Sequence, residues 1–185
     1  VSLFYSGYNA GNFSYMYDGD MNQDGINNDL IYIPKSKDEL TFVDKNGFTA
    51  EQQAEAFWNY VNQDSYLKNH KGEYAKAYSA RYPWVNQIDL KVVQDFIVKA
   101  GKTTNTLQVS LDIFNLGNLL KDTWGVTKVP VNSGRILKYE GVTADNVPTF
   151  SMYQSENKLP TETFSYLKNS SNCWQIQVGI RYIFN

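Results

Sequence analysis

The chain has 185 residues, 17 Lys and Arg against 19 Asp and Glu, a net charge of −2 and a pI near 5.4, so no basic excess points to nucleic acid. It contains no run of 18 apolar residues, which excludes a membrane helix but not a membrane barrel, whose strands each leave only a weak signal. The one cysteine, Cys173, rules out an internal disulfide and a multi-cysteine metal site, and is expected as a small half-buried residue at a strand start.

Val1 is not an initiator methionine and the sequence opens inside a strand-like run. It therefore reads as a mature product or a piece of something longer. Aromatics make up 15% of residues, 14 of them Tyr, which favours strands and, among them, barrels with aromatic girdles. A carbohydrate-binding β-domain would share that composition.

Residues 1–17 read as a first strand, with a bulge at Gly11. A dense acidic and amide loop follows, Asp18-Gly-Asp-Met-Asn-Gln-Asp-Gly-Ile-Asn-Asn-Asp29. Leu30–Ile33 is a short strand stopped by Pro34. Thr49 and Gln52 form a capping box, and Ala54, Phe57, Trp58 and Val61 share one helical face, which predicts a helix over 50–62. A weaker helical stretch is expected at 73–80.

The hairpin of 85–98 and 105–115 has the clearest pattern. Ile88, Leu90, Val92, Phe96 and Val98 alternate with mostly polar neighbours, as do Leu107, Val109, Leu111 and Ile113. Gly101 is available for the turn between them. A turn centred near residues 101–102 predicts Lys91 and Asp112 as a cross-strand pair on the polar face. Residues 116–172 are rich in turn formers, with one strand-like piece at 134–139. The last strand, 173–184, repeats the alternation through Trp174, Ile176, Val178, Ile180, Tyr182 and Phe184.

The strands are long for a soluble sheet, whose strands average about 5–6 residues, and suit tilted membrane strands of about 9–11. One connection is short and two are very long, which argues against a compact soluble domain. Short periplasmic turns and long extracellular loops are a feature of outer-membrane barrels. The expected fold is therefore all-β: an antiparallel transmembrane β-barrel segment of about four long strands. Its two long extracellular loops, 18–84 and 116–172, would include one carrying a short helix, a candidate lid over the outer mouth.

Four stretches together resemble the C-terminal end of TonB-dependent outer-membrane receptors of Bacteroidetes, in the Oar-like branch. They are Tyr17-Asp-Gly-Asp-Met-Asn-Gln-Asp-Gly25 through Asn28-Asp-Leu-Ile-Tyr-Ile-Pro34; Arg81-Tyr-Pro-Trp-Val-Asn-Gln-Ile-Asp-Leu90 with Gln94-Asp-Phe96; Leu111-Asp-Ile-Phe-Asn-Leu-Gly-Asn118 with Trp124-Gly125; and Gln177-Val-Gly-Ile-Arg-Tyr-Ile-Phe184. The resemblance implies a 22-stranded barrel with a plugged lumen, of which this chain would supply roughly the last four strands. It also implies nutrient import driven through the TonB complex. The implied partners are outer-membrane lipid, the rest of the barrel, its plug domain and the TonB complex, and the implied location is the outer membrane.

The acidic loop is the sharpest candidate site. Asp20, Asn22, Asp24 and Gly25 match the first half of a calcium loop, in which alternating oxygens wrap one ion. Ile31 stands where a twelfth-position glutamate would close the shell, so Asp18 and Asp29 complete the candidate set. The same residues also read as a string of Asx turns.

Asp89, Asp95, Asp112 and Arg181 fall on the polar strand faces, where a substrate path competes with a plain polar lumen wall. The lone His70 has no serine, cysteine or aspartate at a spacing that supports nucleophilic catalysis, so no enzyme is expected. The competing function is a soluble surface adhesin or sugar-binding β-domain, which would bury the apolar strand faces in its own core.

Overall fold

The computed structural model describes residues 1–184. In chain order its strands are β1 (Ser2–Asn9), β2 (Asn12–Phe13), β3 (Tyr17–Asp18), β4 (Thr41–Phe42), β5 (Ala80–Arg81), β6 (Trp84–Ala100), β7 (Thr103–Phe114), β8 (Lys128–Pro130), β9 (Leu137–Val142), β10 (Pro148–Met152), β11 (Phe164–Tyr166) and β12 (Gln175–Phe184). The helices are α1 (Ala50–Gln63) and α2 (Leu116–Leu120). The fold is mostly β, with few helices and no closed barrel among the described residues. It divides into two compact units.

The first unit, built from Val1–Ala10, Pro83–Thr127 and the chain from Tyr166 onward, is organised on one antiparallel sheet in the order β1-β6-β7-β12. The period-two pattern sets its register. Leu3, Leu90, Ile113 and Ile176 fall in one cross-strand row; Val92, Leu111 and Val178 form the next; Phe96, Leu107 and Tyr182 form another. A slip of one residue would turn every one of these side chains to the other face. The β6–β7 turn is only Gly101-Lys102, tighter than the connection expected between residues 98 and 105, and Gly101 takes φ 64° there. Both long connections leave and re-enter this sheet at the same end, where Asn9 pairs with Trp84 and Phe114 with Gln175.

The first strand is shorter than the expected 1–17. β1 stops at Asn9, Gly11 at φ 111° redirects the backbone, and Phe13, Tyr15 and Tyr17 are core residues of the second unit. Cys173 is exposed rather than half-buried, because β12 starts two residues later.

The second unit comprises Gly11–Tyr82 and Lys128–Ser165, so the two long connections fold together. Its main sheet runs β3-β9-β10-β4 and is mixed: β3 lies parallel to β9, β10 antiparallel to β9, and β4 parallel to β10. Ile31, Ile33, Leu67, Ile136 and Leu137 are fully buried in its core. Phe13 meets Tyr15, Tyr82 and Phe164 edge to face, a geometry favoured by the ring quadrupoles.

Helix α1 starts as the sequence dictates. Thr49 Oγ1 accepts from Gln52 N at 3.2 Å, and Thr49 N donates to Gln52 Oε1 at 2.9 Å. It buries Phe57, Tyr60 and Val61, while Trp58 is half-buried beneath the Lys71 ammonium, 4.2 Å from the ring centroid. The helix thus packs on the core of its own unit.

The expected helix at 73–80 does not form. Ala75 N and Ile33 N join Ile31 O and Glu73 O in extended pairing, and Tyr78 sits at φ 53°, where an α-helix cannot continue. Leu30–Ile33 is extended as expected, but it is held by single bridges from Leu30 to Met16 and Tyr32 to Tyr74. The strand expected at 134–139 begins at Leu137, because Asn132, Ser133 and Gly134 all take positive φ.

Candidate functional site

The β1-β6-β7-β12 sheet presents an extended apolar face. Val178 is 66% exposed and Ile180 73%, and Leu3, Phe96, Val98, Leu107 and Ile176 are exposed as well. Val109 and Leu111 are only half-buried. No second layer of described residues covers these rows. Aromatic side chains cluster at both ends of the face: Trp84 and Trp174 at one, Phe96, Tyr182 and Phe184 at the other. An exposed apolar patch of this extent marks an interaction surface.

The opposite face is mostly polar and internally bonded. Lys91 Nζ lies 2.8 Å from Asp112 Oδ1, in direct register, as the turn position predicts. Gln108 Nε2 donates to Asp95 Oδ1 at 2.9 Å, and Arg181 stands opposite Gln108 in the same row. Asp89 is drawn away to the β7 exit, where its Oδ1 accepts from Asn115 N at 2.8 Å. The candidates Asp89, Asp95, Asp112 and Arg181 are therefore spread over three places and form no paired-carboxylate site.

The Asn115-Leu-Gly-Asn118 stretch acts as a clamp. Asn115 adopts φ 52°, and its buried Nδ2 donates to Gly125 O and Asn172 O. Asn118 Nδ2 donates to Asp122 O and Trp124 O, while its Oδ1 accepts from Trp174 N. Two carboxamides thus tie the end of β7 to the start of β12.

The acidic loop closes on itself. Asp20 accepts from Asp24 N at 3.2 Å and Gly25 N at 2.7 Å, and Asn22 Oδ1 accepts from Asp24 N at 3.0 Å. Asp24 accepts from Ile26 N at 2.8 Å and from Asn22 Nδ2 at 3.1 Å. Asp29 Oδ2 reaches back to Met21 N at 2.8 Å and Asn22 N at 3.3 Å.

Asp20, Asn22 and Asp24 are therefore bonded within residues 20–26, and Asp29 is bonded to the backbone of Met21 and Asn22. Asp18 belongs to β3 instead, opposite Lys138 of β9. Among the described residues no three His, Cys, Asp or Glu side chains are grouped to hold a metal ion. The geometry is that of successive Asx turns.

Sequence patterning missed the buried polar side chains. Asp64, at the end of α1, accepts from Tyr15 Oη and Thr163 Oγ1 at 2.7 Å, and from Tyr66 N and Leu67 N at 2.8 Å. It thereby joins the two long connections through one carboxylate. Burial first, then the neighbouring Tyr60 and Asp64, push the Tyr15 phenol far up, so it stays protonated as a donor. Burial likewise raises Tyr60, whose hydroxyl lies close to Thr163 and Tyr15 but meets neither in bonding geometry.

Gln53 is fully buried on α1. Its Nε2 donates to Val43 O and Phe48 O, and its Oε1 accepts from Met152 N. In sequence Gln53 looks like an ordinary polar position of an amphipathic helix, and Asp64 like a polar residue just beyond its end. The one available signal was that Gln53 sits a turn before Phe57, on the apolar side.

His70 is also structural: its Nδ1 lies 2.8 Å from Tyr66 O, and its ring stacks on Tyr66. In comparisons with known proteins, no family model, no curated protein and no solved structure matches this chain.

Proposed function

We propose that this chain is a wall segment of an outer-membrane β-barrel of the TonB-dependent receptor type, with the second unit as its extracellular part, serving uptake of a nutrient. One observation carries the reading: a four-stranded sheet with a largely exposed apolar face whose rows run across the strands in register, interrupted by Gln94 and Asn105, opposite a mostly polar and hydrogen-bonded face. A soluble β-domain would bury such a face in its own core.

The dimensions agree. From Ile88 to Val98, β6 advances about 33 Å at about 3.3 Å per residue. Tilted by about 40°, that is about 25 Å of height, matching the apolar band of membrane barrels with aromatic girdles at both rims. β1 and β12 are the edge strands of the described sheet, and in lipid both must pair with further strands. The resemblance to receptor C-termini supplies those strands, the plug and the coupling to TonB.

The test is fluorescence quenching in liposomes whose acyl chains carry bromine. Val178→Trp is expected to be strongly quenched and Gln177→Trp spared. Equal quenching of the two, or a purified chain that stays monomeric in buffer without detergent, would overturn the reading and favour the soluble adhesin.

A further inference from the structure

The second unit carries a groove that the wall-segment reading does not use. One part, about 500 Å³, is lined by Tyr17, Met21, Asn22, Asn28, Asp29, Leu30 and Tyr74. A smaller part, about 170 Å³, shares Tyr17, Met21 and Tyr74 and adds Tyr32 and Glu39. Tyr74 is 65% exposed and meets Tyr32 edge to face at 5.3 Å, which makes an aromatic corner open to solvent. Tyr17 forms a buried wall, held by its stack on Phe150 and by Tyr32 N donating to its Oη.

Two carboxylates line the groove, and no lysine or arginine does. Asp29 is fixed by Met21 N and Asn22 N, so its charge is held in place at the base of the acidic loop. Glu39 is fixed by Tyr32 Oη and Lys35 N. Tyrosine faces carry negative quadrupole potential, and fixed carboxylates add to it. Both features attract a positive charge of low hydration energy and repel an anion.

We infer that this groove binds an organic cation, an alkylammonium or guanidinium group, with Tyr74 and Tyr32 as the aromatic walls and Asp29 and Glu39 as the counter-charges. The cation enters along Tyr74, the exposed ring. Its source is either a free amine or the side chain of a Lys- or Arg-bearing peptide. The groove lies wholly within the second unit, so the inference stands whether or not the sheet lies in a membrane.

The experiment is calorimetry on the full chain with choline, with its neutral isostere 3,3-dimethylbutan-1-ol, and with a blocked tripeptide carrying a central lysine. Choline or the tripeptide is expected to bind and the isostere is not. Tyr74→Phe should keep binding, while Tyr74→Ala should weaken it about three- to fivefold, the share of an exposed cation–π contact. Asp29→Asn should weaken it as well.

A tripeptide that binds more tightly than choline assigns the source as peptide, and the reverse order assigns a free amine. Equal binding of choline and the isostere would overturn the inference, since it leaves only an apolar slot. So would silence from both cations, with Tyr74→Phe melting like the wild type to show that the unit is folded.

Discussion

The two units use apolar residues in opposite ways. In the second, Ile31, Ile33, Leu67, Ile136 and Leu137 have no solvent exposure at all, although they come from segments with no sustained period. In the first, Ile176, Val178 and Ile180, which come from a strand of period two, are left open. Periodicity reports that one side of a strand differs from the other, and it is silent on what lies beyond that side. Each fully buried Leu or Ile contributes about 1.5–3 kcal/mol to its unit, whereas the open rows contribute that only when hydrocarbon or another chain covers them. The second unit is therefore self-sufficient in its core and the first is not.

The largest expected effect breaks the self-sufficient side. Phe57 is 1% exposed and packs its ring 5.9 Å from Phe42. Phe57→Ala should destabilise the second unit by about 3–5 kcal/mol, the usual cost of an aromatic cavity. Thermal melting followed by near-UV circular dichroism should show this equally with and without lipid. A loss that appears only in lipid would mean that the core of this unit does not stand by itself.

Next comes the reverse case. Leu111→Arg places a charge in the middle of the open apolar rows and should cost about 2–4 kcal/mol at a bilayer midplane. On the proposed wall-segment reading, the cost appears when the chain folds into liposomes together with strands that complete a barrel. Ser110→Arg, one residue along on the polar face, should cost far less. Denaturant titration of both variants in liposomes is the measurement. Equal costs for the two would erase the distinction between the faces.

The comparison also explains which parts were legible in the sequence. β6, β7 and β12 were, because each spans enough residues for period two to show, and the short turn then fixes Lys91 opposite Asp112. Helix α1 was, because its capping box and apolar stripe are local signals. The core of the second unit was not. Tyr15, Ile31, Leu67 and Ile136 lie in segments too short to reveal a period, and they meet only when the two long connections fold together.

Residues 73–80 depart from the expected helix for the same reason: their composition suits a helix, but pairing of Ala75 and Glu73 with Ile31 and Ile33 decides their shape. Asp64 and Gln53 look like surface residues until their partners, 99 positions away in Thr163 and Met152, are in place. The acidic loop was legible as a string of Asx turns, since those are short-range. The groove beside it was not, because Tyr74 reaches it from a different segment.

The smallest effect concerns the acidic loop and calcium. Each bonded oxygen of Asp20 and Asp24 accepts a single N–H and keeps a lone pair, whereas Asp29 Oδ2 accepts two, from Met21 N and Asn22 N. A cation would therefore have to draw the three carboxylates together without breaking the turns, and that rearrangement limits the affinity. A dissociation constant of about 10⁻⁴–10⁻³ M is expected, in the range of extracellular modules. Calorimetry should show saturable heat in that range for the wild type and none for Asp24→Ala, which removes the acceptor of Ile26 N together with a ligand. Silence from both proteins would assign the loop to its Asx turns alone. Saturable heat that survives Asp24→Ala would place the cation elsewhere. In either case the second unit would owe its order to its apolar core and to Asp64, as Phe57→Ala is designed to reveal.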